Sequence, residues 1–211
     1  MKREAVIVIC PSLEEIVRQI DPYAQVVLIE NAPGSAEDQA TPDQAAAVRA
    51  RFGLAPATPV VVYTGTFEAY QGLDLLFAAM AIVCTRRPDA RLLLAGGKPD
   101  QVQRAREHAR AAGIGDVAVF AGELPASAIP AYLLAANVLV SPRSRGTNTP
   151  LKIYQYLRSG KVIVATRLLT HTQVLSDATA ILTGASPGEF AAGILTSLDD
   201  PNRAAMVGRQ A

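Results

Sequence analysis

Little in this chain is suited to holding metals or crosslinks. Of 211 residues only two are cysteine, Cys10 and Cys84, and only two are histidine, His108 and His171. No CxxC spacing joins them, so neither a zinc site nor a disulfide framework is expected, and a reducing compartment is the default. Charge of one sign is also lacking: 20 Lys and Arg face 19 Asp and Glu, a net +1. That balance gives no reason to expect a nucleic-acid partner. Charged residues make up 18% against a usual share of about 25%, and apolar residues 50%, which excludes a disordered or coiled-coil chain. The most apolar stretches, Leu76 to Val83 and Ala131 to Val140, fall short of the roughly 18 to 20 residues that cross a bilayer. Lys2 and Arg3 precede only a short apolar run before Pro11, a poor signal peptide, so the expected location is the cytoplasm.

The sequence also lacks G-x-G-x-x-G, a P-loop, a G-x-S-x-G elbow and any Ser-His-Asp order, which counts against a dinucleotide dehydrogenase, an NTPase and a serine hydrolase. What it has, from Pro59 onward, is an alternation of short β-branched runs with longer amphipathic stretches. Strands are expected near Val60 to Thr64, Arg91 to Ala95, Val117 to Phe120, Val138 to Val140, Val162 to Ala165 and Ala178 to Leu182. Helices are expected at Leu73 to Arg86, Asp100 to Ala112, Ser127 to Ala136, Leu151 to Arg158 and Pro187 to Leu198. The order predicts an α/β fold, a doubly wound parallel sheet with helices on both faces. Thr149 and Pro150 suit N-cap and N1 of one helix, and Gly160 suits its C′ end. Before this region, Ala5 to Ile9 and Val26 to Ile29 read as strands around a helix capped by Ser12. The stretch Asn31 to Gln44 reads as a linker.

Doubly wound sheets bind ligands beyond the carboxyl ends of their strands, so the loops there carry the functional reading. Gly65 and Thr66 follow the first strand of the alternation, and Gln71 and Gly72 stand at the next helix start. A glycine there lets backbone approach a phosphate that the helix terminus favours; a plain βα turn is the competing reading. Gly96-Gly97-Lys98-Pro99 serves as a tight turn. The segment Ser141 to Pro150, running into a helix with Lys152 and Gln155, is the most informative. Small hydroxyl and amide residues, among them Thr147, Asn148 and Thr149, leave N–H groups accessible, while Arg145 and Lys152 supply charge where a diphosphate would sit. His171, between two threonines, reads as polar scenery, and His108 as an exposed helix residue.

Ser144 to Thr166, SRGTNTPLKIYQYLRSGKVIVAT, resembles the nucleotide-sugar signature of the group 1 (family 4) retaining glycosyltransferases of GT-B fold. Val61 to Met80, Leu92 to Asp100 and Val117 to Arg143 resemble further strands, turns and helices of that family's Rossmann-like donor domain. The opening VIVICPSL and VVLIENAP resemble the tail of its acceptor-side domain. The resemblance therefore implies two parts: residues 1–35, the end of an N-terminal acceptor-side domain and its linker approach, and residues 36–211, a nucleotide-sugar-binding domain in the position of the GT-B C-terminal half.

In that family an acidic pair eight positions apart faces the sugar and the ribose; here the positions hold Thr147, the implied catalytic position, and Gln155. The family's diphosphate-binding Arg and Lys correspond to Thr66 and Gln71, so both charges are gone and Arg145 and Lys152 are the expected substitutes. Phe120 and the turn through Gly122 and Leu124 correspond to the nucleobase wall. The resemblance implies sugar transfer from a nucleotide diphosphate sugar to an acceptor glycan or glycolipid, retaining and metal-independent, with no cofactor. It also implies that this chain alone binds donor without transfer. The intact protein is free to associate with a membrane, and the exposed apolar surface left by a missing half suggests a homodimer. The rival readings are a non-catalytic or partner-dependent nucleotide-sugar-binding module and a nucleotide-sugar epimerase.

Overall fold

A computed structural model describes residues 5–30 and 40–210. Two parallel strands, β1 (Ala5–Val8) and β2 (Gln25–Leu28), flank helix α1 (Pro11–Ile20). Helix α1 starts one residue before Ser12: Cys10 is the N-cap and Pro11 occupies N1, where its missing N–H costs nothing. Most of the expected linker, with the boundary between residues 35 and 36, lies outside the described residues. Its end does not: Pro42–Arg51 is a helix, α2, opened by a Thr41–Gln44 capping box.

The rest is the expected α/β sandwich. Its strands are β3 (Val60–Thr64), β4 (Arg91–Ala95), β5 (Ala118–Gly122), β6 (Val138–Ser141), β7 (Ile163–Thr166) and β8 (Ile181–Thr183), all parallel, in the order β5-β4-β3-β6-β7-β8. The helices are α3 (Leu73–Arg86), α4 (Pro99–Ala111), α5 (Ile129–Ala135), α6 (Leu151–Arg158), the short α7 (Leu169–Thr172), α8 (Pro187–Asp199) and α9 (Pro201–Arg209). Helices α2, α7 and α9 were not anticipated from the sequence. Expected and observed bounds otherwise agree within a few residues, and they coincide for β3, β4, α3 and α6.

The strands read as continuous apolar runs because both of their faces are covered. Val61, Tyr63, Leu92, Leu94, Val138, Val140 and Val164 point to one side, beneath α3, α4 and α8. Val60, Val62, Leu93, Leu139, Ile163 and Ala165 point to the other, beneath α2, α5 and α6. At roughly 25 cal/mol per Å2 of apolar surface, these two layers are the main source of the fold's stability. Strand β3 leads outward through β4 to β5, and β6 returns to pair with β3 on its other side. The chain therefore reverses direction across the sheet between β3 and β6, which opens a crevice above their carboxyl ends.

Candidate functional site

The crevice is lined by backbone that packs too closely for any residue but glycine. Gly72 has φ +76°, and a Cβ there would collide with the Pro142 carbonyl beyond β6. Gly96 has φ +131°, and a Cβ there would collide with the Gly65 carbonyl beyond β3. These two contacts draw the loops after β3, β4 and β6 into one rim. Gly96 was read as a turn residue and Gly72 as standing at a helix start; the structure gives both the further task of bringing the strand ends together.

Lys152, from the first turn of α6, enters this crevice and is 9% exposed. Its Nζ donates to Gln71 Oε1 at 3.2 Å and sits 4.0 Å from the centroid of the Tyr63 ring. Gln71 Nε2 in turn donates to Thr66 Oγ1 at 3.4 Å, and a Cβ on Gly65 would stand 3.5 Å from Nζ. Tyr63 closes the same turn by donating from its hydroxyl to Thr66 O at 2.7 Å. Gly65, Thr66, Gln71 and Lys152, all expected at the donor site, are thus gathered in one place. Burial, with a smaller push from the Arg143 charge, lowers the Lys152 ammonium from 10.5 to about 7.

Other expected residues are placed less centrally. Arg145, expected to supply charge beside Lys152, is exposed on the loop. Arg143, two positions earlier, is 6% exposed, and its Nη1 donates to Asn148 O at 2.9 Å and Thr170 Oγ1 at 2.8 Å. Asn148 is therefore a holder of this guanidinium through its backbone, while Thr149, the next residue, is buried. Thr149 is not the N-cap of α6: Pro150 is, because its ψ of 131° keeps it extended and the helix begins at Leu151. Gln155 is exposed one turn along α6 from Lys152. Thr147 is exposed, and its carbonyl accepts from Gln173 Nε2 at 2.7 Å; Gln173 Oε1 accepts from the Ser12 N–H at 2.9 Å, tying the loop to the start of α1.

The residues expected on the base side lie at the end of β5 and just beyond it. Phe120 is mostly buried and packs edge-on against Phe67, with ring centroids 6.4 Å apart, and Phe67 lies against Gly97. Gly122 is in the left-handed region with φ +75°, and Leu124 is half-buried beside it.

His171 corrects the sequence reading outright. It is fully buried, not loop scenery: Ser141 Oγ lies 2.8 Å from its Nε2, and its Nδ1 lies 2.8 Å from Thr166 O. With the carbonyl accepting from Nδ1–H, Nε2 is left to accept from the serine hydroxyl. Burial, reinforced by the Lys152 and Arg143 charges, lowers it to about 4, so it is neutral near pH 7 and ties the ends of β6 and β7 together. On the far side of the crevice Tyr156 accepts from Thr64 N at 2.9 Å, and burial raises its phenol to about 12. No helix among the described residues is long and apolar enough to cross a membrane.

A curated D-inositol 3-phosphate glycosyltransferase 2 of Catenulispora acidiphila is 27% identical over 192 residues, 85% of this chain and 44% of that protein. A GDP-mannose-dependent alpha-(1-6)-phosphatidylinositol monomannoside mannosyltransferase of Mycolicibacterium smegmatis is 29% identical over 175 residues, 79% of this chain and 45% of that protein. The chain thus spans less than half the length of these relatives. Among solved structures, sucrose-phosphate synthase of Thermosynechococcus elongatus matches 98% of this chain and 52% of its own with a TM-score of 0.82 and 26% identity. Anabaena HepE in complex with UDP-glucose matches 99% of this chain and 58% of its own, with a TM-score of 0.82 and 19% identity, and shares the fold. The sequence profile of the family described as "Glycosyl transferases group 1" matches residues 45–211, the greater part of the chain. The chain belongs to the group 1 glycosyl transferases, and its parallel sheet is the Rossmann-like half of their GT-B architecture.

Proposed function

We propose that residues 36–211 bind the nucleotide diphosphate sugar of a retaining, metal-independent glycosyltransferase, and that residues 1–35 belong to its acceptor-side part. The observation that carries this reading is the Lys152 ammonium, buried at the crevice between β3 and β6 with only neutral partners. A leaving diphosphate needs positive charge and N–H groups where its oxygens develop charge, and a dry crevice strengthens both. Side-chain cations can supply that charge, which supports a scheme without a metal. In the step proposed, the bond from the anomeric carbon to the diphosphate oxygen breaks, an acceptor hydroxyl forms the new bond on the same face, and its proton leaves with the product diphosphate or water. The relatives' names support an acceptor of sugar or glycolipid type. Transfer by these 211 residues alone is not expected, because the acceptor has to be held by the other part.

A second reading is favoured by one observation: Thr147, Thr66 and Gln71 place no carboxylate or cation of their own at the crevice. On that reading the chain is a binding module that works with a separate partner. Exposed apolar side chains around β1 and β2, such as Ile7, Val27 and Ile29, support burial against another surface, including a second copy. A monomer by sedimentation velocity at working concentration counts against the homodimer.

The test is calorimetric titration with UDP, GDP and their sugar conjugates, repeated on Gln155→Ala. Saturable binding of one nucleotide, weakened in the variant, supports the donor site and names the base. A folded chain that binds none of them refutes it.

A further inference from the structure

Lys152 is not the only buried cation at the crevice. Arg143 is also nearly inaccessible, and its hydrogen-bond and ring partners are all neutral. Its Nη1 bonds go to a backbone carbonyl and a threonine hydroxyl, its Nη2 lies 3.4 Å from Asn148 Oδ1, and its guanidinium carbon stands 4.9 Å from the Tyr70 ring centroid. Its Nε is buried without any hydrogen-bond partner. Among the described residues, every ion pair involves other side chains, so no carboxylate answers either Arg143 or Lys152.

Buried arginines are ordinarily paired, since an uncompensated charge in the interior is costly and a buried donor left unmade is costly again. Two such cations at one crevice are the mark of a site whose counter-ion arrives from outside. The pair is also set close together by one short turn: Arg143 lies over the ring of Tyr70, and Lys152 bonds to Gln71, the next residue. The loop above keeps Arg143 from swinging out. A methyl on Gly146 would stand 3.1 Å from its guanidinium carbon.

We propose that Arg143 is the second cation of the anion subsite and takes a diphosphate together with Lys152, its free Nε–H and remaining Nη2 hydrogen being the donors. This rests on the donor-site reading and extends it to a residue outside the family signature. Gln71 then acts as a positioning residue that holds Lys152. A planar guanidinium suits two oxygens of one phosphoryl group, and the ammonium suits the other as a point charge.

The experiment compares the full chain with Arg143→Gln and Arg143→Lys by titrating inorganic pyrophosphate, UDP, GDP and the nucleosides uridine and guanosine. Arg143→Gln is expected to weaken pyrophosphate and the bound nucleotide at least tenfold, to change nucleoside binding less than twofold, and to reduce the salt dependence of nucleotide binding. Arg143→Lys, which keeps the charge and lacks the planar fork, is expected to recover only part of the loss. The proposal is overturned if Arg143→Gln binds the diphosphates as tightly as the parent, or loses nucleoside and nucleotide alike. Should the glutamine variant fail to fold, the Arg143 Nε–Hε resonance of the unaltered chain decides. It is expected to shift on titration with pyrophosphate, and a resonance unmoved at saturation overturns the proposal. A parent chain that binds no nucleotide and no pyrophosphate overturns the donor reading itself, whereas nucleotide binding indifferent to Arg143 overturns this inference alone.

Discussion

If an anion binds beside Lys152, its affinity has to depend on pH in a direction fixed by the structure. Burial first and Arg143 second lower the ammonium to about 7. An arriving diphosphate favours the charged form, so binding pulls the group back up and takes a proton from solution wherever the amine was neutral beforehand. Below pH 7 the ammonium is already present and affinity is flat. Above pH 7 each pH unit costs about 1.4 kcal/mol, a factor of about ten, until the bound-state value is reached. Between pH 6 and pH 8.5 the association constant is therefore expected to fall about 30-fold, or roughly 2 kcal/mol.

A nucleotide diphosphate sugar is the right probe, because its esterified diphosphate has no second proton near pH 6 of the kind a terminal phosphate carries. Titration calorimetry in two buffers of different ionisation enthalpy then counts protons directly. About half a proton is expected to be taken up per ligand at pH 7, and nearly one at pH 8. Lys152→Arg, charged throughout, is expected to remove both the slope and the uptake. The groups facing Lys152 do not mimic this behaviour: Tyr63 and Tyr156 are raised away from neutrality, and His171 is lowered to about 4. Affinity constant within twofold from pH 6 to 8.5, with no proton uptake, refutes the placement of the anion beside Lys152.

Two further outcomes follow from the scaffold of the crevice. Gly96→Ala is expected to weaken nucleotide binding at least tenfold and to lower stability by about 1 to 3 kcal/mol, because the methyl needs both a left-handed φ and the space of the Gly65 carbonyl; unchanged urea melting and binding would refute the close approach of β3 and β4. His171 makes the fold sensitive to acid. The unfolded histidine takes its proton near 6.5 and the folded one only near 4, so the unfolded state binds more protons between those values and stability falls as pH drops through them. The full loss is about 3 kcal/mol; His171→Gln, measured by urea melts at pH 6.5 and pH 4.5, is expected to flatten that dependence, and an unaltered slope would place the acid sensitivity elsewhere.

The sheet was legible in the sequence because strands buried on both faces have no polar beat to obscure them, and Val60 to Thr64 and Arg91 to Ala95 were found to the residue. Helix α2 was not, since it buries only Ala45 and Val48 and has no apolar stripe. Its one signal was the Thr41-Pro42 start with Gln44 three residues on. Pro150 was misplaced by one position because a fixed φ near −65° fits both N-cap and N1, and only ψ distinguishes them. Arg143 and His171 were missed for a different reason. Their neighbours in sequence are polar and small, and their burial arises from loops after β6 and β7 that meet only in three dimensions.

The same argument bears on Gln71 and Lys152, which stand 81 positions apart in sequence and 3.2 Å apart in space. The switch of direction between β3 and β6 brings the turn before α3 and the first turn of α6 to one crevice, so a cation rooted on either side reaches the same volume. The charge is then a property of the crevice and not of one position. Lys152→Gln alone is expected to weaken nucleotide binding about 10- to 150-fold, the worth of one charge-assisted hydrogen bond of about 1.5 to 3 kcal/mol. Adding Gln71→Lys is expected to bring affinity back to within about fivefold of the parent, since the pair keeps its net charge and exchanges donor for acceptor. A double variant that binds no better than Lys152→Gln, while melting at the parent's temperature, would show that α6 alone can present the ammonium.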